Sequence, residues 1–138
     1  MGKTTNYWIV KTDPDSYSID DFVKDKETVW DGVRNYQARN NLNLMKKGDL
    51  VLIYHSNAEK AIMGLAKVSK PSYQDPTTDD ERWTAVDLKL SKVFKKQPDL
   101  AILKQEPGLS DIGLIKQSRL SVMPITQNEY ELITELTK

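Results

Sequence analysis

A run of eleven residues, from Trp30 to Asn40, concentrates side chains of the kinds that bind flat, negatively charged molecules. It reads Trp-Asp-Gly-Val-Arg-Asn-Tyr-Gln-Ala-Arg-Asn and includes two of the chain's four arginines. A guanidinium is a planar fork for phosphate or carboxylate, and it also stacks on aromatic faces. Tryptophan offers the largest stacking surface, and glycine lets the backbone approach a ligand closely. The segment therefore indicates a site for an aromatic anion, of which a nucleotide is the commonest example.

Two tryptophans outside the regular apolar patterns are candidates for the walls of such a site. Trp30 precedes an Asp-Gly pair, and Trp83 follows an acidic stretch at the start of a predicted strand. On loops beside one sheet they could clamp a planar base from both sides, and such stacking contributes ~1–3 kcal/mol per base. Tryptophan is also mostly buried in folded proteins, so the sequence leaves site and core equally open for both residues. Trp8, in the middle of a predicted strand, is expected in the core.

The chain lacks the usual arrangements for catalysis and for metal binding. It has no cysteine and one histidine, His55, so thiolate and multi-histidine metal centres are excluded. His55 and Ser56 are neighbours at a strand end, where adjacent side chains point apart, whereas a nucleophile and its base must converge in space. No Gly-rich phosphate loop is present. Helix capping and solvation explain four nearby carboxylates better than a cation site does: Asp13, Asp15, Asp20 and Asp21. We therefore expect no catalytic residue, no metal and no cofactor.

Charge and hydropathy narrow the class of protein. Twenty basic and twenty acidic residues give a formal net charge of zero. Proteins that hold nucleic acid by non-specific electrostatics are usually clearly basic, so any such contact here must be local, with a pocket supplying most of the affinity. We expect one domain spanning residues 1–138. No apolar run opens the chain and no stretch approaches the ~18 apolar residues of a membrane span, so we expect a cytoplasmic monomer without membrane contact.

Apolar periodicity and turn residues predict the elements that position these side chains. Ser18 with Asp21 forms a capping-box variant that begins a short helix with Ile19, Phe22 and Val23 on its apolar face. Thr126 with Glu129 begins a final helix. Further helices are predicted at 35–47, 100–104 and 112–116, and strands at 7–11, 50–54, 61–70, 83–95 and 120–125. Loops are expected through 26–27 and from 71 to 80, and Gly64 suggests a bulge or a close backbone approach. The pattern favours an α+β fold, a mixed sheet curled into a partly closed barrel with helices at its ends.

The chain resembles the EVE domain of the PUA-like superfamily in blocks that run in order along nearly its whole length. The most specific block is the segment from Trp30 to Asn40; the others are 7–14, 18–21, 45–49, 54–57, 63–64, 73–76, 83–87 and 117–124. Asp13 stands where the family more often has Glu, which keeps the carboxylate. The resemblance implies a PUA-like mixed, mostly antiparallel β-barrel with flanking helices. EVE domains are similar to the YTH readers of N6-methyladenine in RNA, and members are implicated in binding modified bases in DNA or RNA; no catalytic residue comes with the family.

The same resemblance implies roles for individual residues. Trp30 and, through a looser match, Trp83 correspond to walls of an aromatic cage around the modified base. Lys11 and Thr12 border the pocket, and Asn35 begins the helix beside it. Ser118 and Arg119 match a Ser-Arg pair whose arginine meets phosphate.

A modified base that enters such a cage needs partners for its polar edge, because an unpaired buried polar group costs ~1–3 kcal/mol. The candidates for this edge are Lys11, Ser18, Asn35 and the backbone of Asp31 and Gly32. Tyr54 and Ser56, from the matching block at 54–57, complete the predicted ligand-binding set. Arg34 and Arg39 are expected to join Arg119 in holding phosphates.

Three functions remain open at this level. The first is a non-catalytic module that recognises a modified nucleobase in RNA or DNA. The alternative is a binder of a free nucleotide or another small aromatic anion, which the neutral net charge favours. An enzyme such as a nuclease would need a metal or a convergent acid–base pair, neither of which the sequence shows. Several phosphate contacts give a steep dependence of affinity on salt and a mononucleotide gives a shallow one, so salt titration separates the first two.

Overall fold

One six-stranded sheet with helices packed around it forms the computed structural model, which describes residues 5–57, 59–117 and 119–138. The strands are β1 (Tyr7–Thr12), β2 (Glu27–Trp30), β3 (Leu50–His55), β4 (Ala61–Gln74), β5 (Thr84–Val93) and β6 (Val122–Ile125). The helices are α1 (Ile19–Asp25), α2 (Tyr36–Leu44), α3 (Leu100–Gln105), α4 (Gly113–Lys116) and α5 (Gln127–Glu135), with a 3-10 turn at Pro107–Leu109. None of the helices in these described parts is long and apolar enough to cross a membrane.

The sheet is mixed and mostly antiparallel, as predicted. Its strand order is β2-β5-β4-β3-β1-β6, and β1 and β3 form the parallel pair. β2 and β6 are its edges, so the sheet is open rather than closed into a barrel. The sheet nevertheless curls. Three strands separate β2 from β1 in the strand order, yet residues of both line one cavity. The α+β class and the PUA-like architecture are confirmed.

The strongest apolar runs of the sequence form the centre of the core. Ile9 and Val10 of β1 lie in register with Leu52 and Ile53 of β3, and all four side chains are buried. Burying an aliphatic side chain of this size contributes ~1.5–3 kcal/mol. Trp8 is also buried, and its indole Nε1 donates to the buried Asp49 carboxylate at 3.0 Å. This pair fixes β1 to the turn that leads into β3.

Side-chain caps set the starts of the helices. The Ser18 hydroxyl accepts from the Asp21 amide while the Asp21 carboxylate accepts from the Ser18 amide, and Thr126 with Glu129 repeats this at α5. Asn35 caps α2 by accepting from the Ala38 amide at 2.9 Å. Each such cap contributes ~1 kcal/mol, so these polar residues are used in fixing the helices.

Four details of the sequence prediction are wrong, and the pairing of distant strands accounts for the first two. The expected loop at 26–27 gives way at Glu27 to β2, an edge strand of four residues that is too short for a periodic signal and that pairs with β5. The expected loop at 71–80 begins later, because β4 continues to Gln74 in register with the start of β5. The helix predicted to Lys47 ends at Leu44, and Val23, expected on the apolar face of α1, is 46% exposed. Gly64 is the predicted close approach: a Cβ there would lie 2.7 Å from the Lys92 carbonyl oxygen.

Candidate functional site

A cavity of about 600 Å³ opens where the end of β1 faces the edge strand β2. Its volume lies within the ~300–1,000 Å³ of typical small-molecule sites. Six of the predicted ligand or phosphate residues line it: Lys11, Thr12, Trp30, Asp31, Gly32 and Arg34. Asp13, Ser16, Tyr17, Thr28, Val29, Val33 and Ser121 complete the wall. The structure therefore brings together predicted residues that lie as far apart in the sequence as Lys11 and Arg34, which are separated by 23 positions. Four of the six come from the start of the segment from Trp30 to Asn40.

Trp30 belongs both to the core and to the cavity wall. Its side chain is 8% exposed, and its ring meets Tyr17 edge-on at 6.1 Å and Phe22 at 6.3 Å between centroids. The core alternative therefore holds for Trp30, and its ring also borders the cavity, while its contact with a ligand stays a prediction. A ring fixed on several sides offers a stacking surface that costs little conformational entropy to use.

Tyr17 is a wall residue that the sequence analysis missed. Its ring lies against Phe22 at 6.1 Å, which joins the residue before the N-cap of α1 to the fourth residue of that helix. This is the hydrophobic staple that accompanies a capping box, so the signal was present in the sequence. Burial raises the pKa of the Tyr17 phenol to about 12, and its hydroxyl donates to Asp25 at 2.8 Å. Tyr17 therefore presents a neutral ring to the cavity.

A buried carboxylate, Asp75, holds the loop that carries much of the wall. One of its oxygens accepts from the Gly32 amide and from Arg34 Nη1, both at 2.9 Å. The other accepts from the Thr77 amide at 2.7 Å and from the Thr77 hydroxyl at 2.6 Å. These donors hold the pKa of Asp75 well below its usual range despite its burial. Gly32 has a φ of +74°, which a side chain would strain, so glycine is required where the loop turns toward Asp75.

Burial shifts the pKa values of two ionisable groups on the cavity wall in opposite directions. Burial lowers the pKa of the Lys11 ammonium. Burial raises the pKa of the Asp31 carboxyl, and the nearby charge of Asp75 raises it further. The cavity thus combines a donor, an acceptor and an aromatic face, which are the groups needed to hold a planar polar ring.

Several other predicted residues lie away from this cavity. Ser18 and Asn35 are engaged as helix caps. Tyr54 is 3% exposed and packs in the core. Ser56 continues the β1–β3 pairing, since its amide donates to the Thr12 carbonyl at 2.9 Å. A direct ligand contact by any of these four side chains is not favoured by the geometry.

Trp83 does not form the second wall of a clamp with Trp30. Its half-buried ring stacks on Tyr36, with centroids 5.1 Å apart, on the far side of Arg34. Arg34 links the two places, because it lines the cavity and its Cζ lies 5.5 Å from the Trp83 ring. Arg39 lies over Tyr36 and also outside the cavity. The aromatic side of the cavity is built by Trp30 and Tyr17 instead.

Arg119 and Asn35 line a second, shallower hollow of about 320 Å³. Lys116, Gln37, Gln117 and Leu120 complete it. The hollow adjoins the first cavity. Arg34 and Ser121 line the cavity, and the residues next to them in sequence, Asn35 and Leu120, line the hollow. Ser118, predicted beside Arg119, lies outside the described residues.

His55 is used structurally. It is buried at the end of β3, and its Nε2 accepts from the Ile19 amide at 2.9 Å. Nδ1 therefore carries the proton and donates to Glu59 at 2.8 Å. Within residues 5–57, 59–117 and 119–138, no group of three or more His, Asp or Glu side chains comes together that could hold a metal ion.

Comparison with known proteins gives one consistent result. The family model of the EVE domain matches residues 6–136. The chain is 36% identical to thymocyte nuclear protein 1 of Mus musculus, over 96% of this chain and 74% of the mouse protein. A hypothetical protein from Leishmania major superposes with a TM-score of 0.91 at 37% identity, over 97% of this chain and 95% of that one. The human THYN1 protein, solved in complex with 5-methylcytosine-containing DNA, superposes with a TM-score of 0.89 at 32% identity, over 97% and 98% of the two chains. The chain therefore belongs to the EVE-domain family.

Proposed function

We propose that this chain binds a modified nucleobase carried in DNA, in the cavity between β1 and β2, and leaves the base chemically unchanged. The cavity carries the proposal: it combines the Trp30 and Tyr17 rings with the polar groups of Lys11, Asp31 and Gly32. Base flipping delivers a nucleobase to a pocket of this kind, and a modified or damaged base costs least to extract. Arg34 at the cavity wall is placed to meet the adjoining phosphate.

The chemistry of the wall accounts for how such a base would be held. The base would stack on the aromatic side, and a methyl group buried against aromatic carbon contributes ~0.8 kcal/mol. Asp31 accepts hydrogen bonds when ionised, which suits an exocyclic amine, and the Lys11 ammonium donates to a ring nitrogen or carbonyl. Selectivity comes from these polar partners, because a base that cannot match them leaves buried groups unpaired.

The choice of DNA is supported by the human relative whose solved structure contains DNA with 5-methylcytosine. At 32% identity over nearly the whole chain, that relative shares the architecture that forms the cavity. Binding without chemical change is supported by His55, the one histidine, since both of its ring nitrogens make structural hydrogen bonds.

A binding titration with matched oligonucleotides tests the proposal. Fluorescence anisotropy compares a DNA 12-mer that contains one 5-methylcytosine with the same DNA containing cytosine and with the RNA of the same sequence. We expect the methylated DNA to bind at least about fourfold more tightly than the unmethylated DNA, the value of one buried methyl group. Equal affinities, or tighter binding of the RNA, would overturn the choice of ligand. After overnight incubation the oligonucleotide mass should be unchanged, and a shifted mass would identify an enzyme.

A substitution that blocks the cavity locates the binding. Ser16 is exposed and lines the cavity, so Ser16→Trp narrows its mouth without removing a core contact. The same substitution at the exposed Asn128 of α5, away from this cavity, is the matched control. Ser16→Trp should weaken binding of the methylated DNA at least tenfold, whereas Asn128→Trp should bind as the wild type does. Equal binding by both variants would place the site elsewhere.

A further inference from the structure

Four side chains form a stacked row on the surface beside the cavity: Arg39, Tyr36, Trp83 and Arg34, in that order. Arg39 Cζ lies 5.3 Å from the Tyr36 ring centre, the Tyr36 and Trp83 rings are 5.1 Å apart and inclined by 28°, and Arg34 Cζ lies 5.5 Å from the Trp83 ring. Two arginines therefore flank two stacked aromatic rings. We call these four side chains the stacked row.

The stacked row is exposed, although it contains two large aromatic residues. Tyr36 is 52% exposed and Trp83 is half-buried. Neither belongs to the hydrophobic core. Stacking of the two rings contributes to folding stability, but the exposed half of Tyr36 buries no apolar surface, so packing alone does not explain why an aromatic ring stands there.

The surroundings hold the rings in place. The Tyr36 hydroxyl accepts from Arg82 Nη1 at 3.2 Å, and Arg82 is itself paired with Asp80 at 2.6 Å. The Trp83 amide donates to the Asp80 carbonyl and its own carbonyl accepts from the Asp75 amide. The rings are therefore presented in a fixed orientation, as in a preorganised binding surface.

The stacked row begins at the cavity. Arg34 lines the cavity and covers Trp83, and Asp75 binds both Arg34 and the backbone of Gly32. A bound polymer with one of its units in the cavity would therefore extend over the stacked row. A polymer of planar bases joined by phosphates suits this surface, because its bases can stack on the aromatic rings and its phosphates can bind the flanking guanidinium groups.

The charges favour the same partner. Arg34 is paired with Asp75 and Arg82 with Asp80. Arg39 instead donates to two neutral oxygens, Asn40 Oδ1 at 2.9 Å and the Arg82 carbonyl at 2.8 Å. Among the described residues no carboxylate lies within ion-pair distance of Arg39. Its positive charge remains available to a phosphate at the outer end of the row.

We infer that the stacked row binds one of the nucleotides that flank the one held in the cavity. The base of that nucleotide replaces the Arg39 guanidinium over the Tyr36 ring, and the displaced guanidinium binds its phosphate. This inference rests on the proposed function, since it assigns the neighbour of the recognised nucleotide. Because every base has a π face, the row would add affinity without reading sequence.

The test separates the row from the cavity by ligand length. The ligands are 5-methyl-2′-deoxycytidine monophosphate, which fills only the cavity, and a single-stranded DNA 5-mer with a central 5-methylcytosine. Tyr36→Leu should weaken binding of the 5-mer about 5- to 150-fold, the range for losing one stacked base, and leave mononucleotide binding unchanged. Tyr36→Phe, which keeps the ring, should restore binding of the 5-mer. Leu44→Ala is the control, because Leu44 is 62% exposed at the other end of α2.

The outcomes distinguish the two proposals. If the wild type binds both ligands and Tyr36→Leu binds the 5-mer equally well, the stacked row is not used and the cavity proposal stands. If the wild type binds neither ligand, the proposed function itself fails. A second readout uses the wild type alone: 2-aminopurine next to the 5-methylcytosine should lose fluorescence on binding as it stacks on Tyr36. An increase in fluorescence would overturn the inference whatever the variants do.

Discussion

At the scale of single residues, the candidate site is built from side chains that also hold the fold together. Trp30 packs on Phe22 and Tyr17 and also forms the cavity wall, and Asp75 orders the loop at Gly32 while pairing with Arg34. A substitution at such a position changes both stability and affinity. Experiments on these residues must therefore measure both quantities.

Trp30→Ala is expected to destabilise the fold by ~3–5 kcal/mol, the cost of deleting a buried large aromatic side chain. Trp30→Phe, which keeps an aromatic face against Phe22, should lose less stability and remain folded while binding the methylated DNA more weakly. Urea denaturation gives the free energy of unfolding, and anisotropy of the folded Trp30→Phe variant gives the affinity. A loss below ~1 kcal/mol for Trp30→Ala would show that the packing on Tyr17 and Phe22 contributes little.

At the scale of elements, the site is assembled by loops at the ends of distant strands. The loop after β2 reaches the loop after β4 through Asp75, across more than 40 positions of sequence. Because the hydrogen-bond donors favour the ionised carboxylate, the folded-state pKa of Asp75 lies well below its ordinary value of 3.8. A depressed pKa contributes stability that is present above about pH 4 and is lost as the pH falls.

Asp75→Asn should therefore destabilise the protein most at neutral pH. The amide would face the Gly32 and Thr77 donors with one acceptor oxygen instead of two, at a cost of ~1.5–3 kcal/mol for bonds to a charged group. The difference in unfolding free energy between wild type and variant should shrink as the pH is lowered from 7 to 3. Asp20→Asn, an exposed position on α1, is the control. A difference that stays constant with pH would mean that the carboxylate is not stabilised by its charge.

The same elements show how far sequence reasoning reaches. Local signals predict the continuous apolar strand at 50–54, the capped helices at Ser18 and Thr126, and the wall residues from Trp30 to Gly32. β2 is missed because four residues are too few for a periodic signal and its pairing partner, β5, lies far along the chain. Asp75 is missed as a site residue for the same reason: its partners Gly32 and Arg34 lie far away in sequence. Trp83 is half-buried and stacks on Tyr36, a neighbour that periodicity alone does not indicate.

At the scale of the whole molecule, a net charge of zero sets how the affinity should respond to salt. Many basic residues are balanced by acids, so the proposed DNA contact rests on a few local cations. Arg39 at the end of the stacked row and Arg119 in the hollow beside the cavity make no ion pair with a carboxylate of the described residues. Arg34 is also placed to meet a phosphate, but Asp75 already neutralises its charge. The two arginines without an ion pair therefore give a slope of log affinity against log salt near −2, far shallower than for proteins that neutralise ~6–10 phosphates.

Arg119→Gln tests this number of phosphate contacts. Arg119 is exposed beside Gln37 and Lys116, so its loss should leave the unfolding free energy within ~0.5 kcal/mol of the wild type. It should weaken methylated and unmethylated oligonucleotides to the same extent, because a phosphate contact carries no information about the base. It should also make the salt slope shallower by about 1. Anisotropy titrations of both DNAs between 50 and 300 mM salt (roughly the range over which such slopes are measured) give the affinities and the slope, and urea denaturation gives the unfolding free energy. A loss confined to the methylated DNA would make Arg119 a reader of the base, and an unchanged slope would remove this hollow from the path of the DNA.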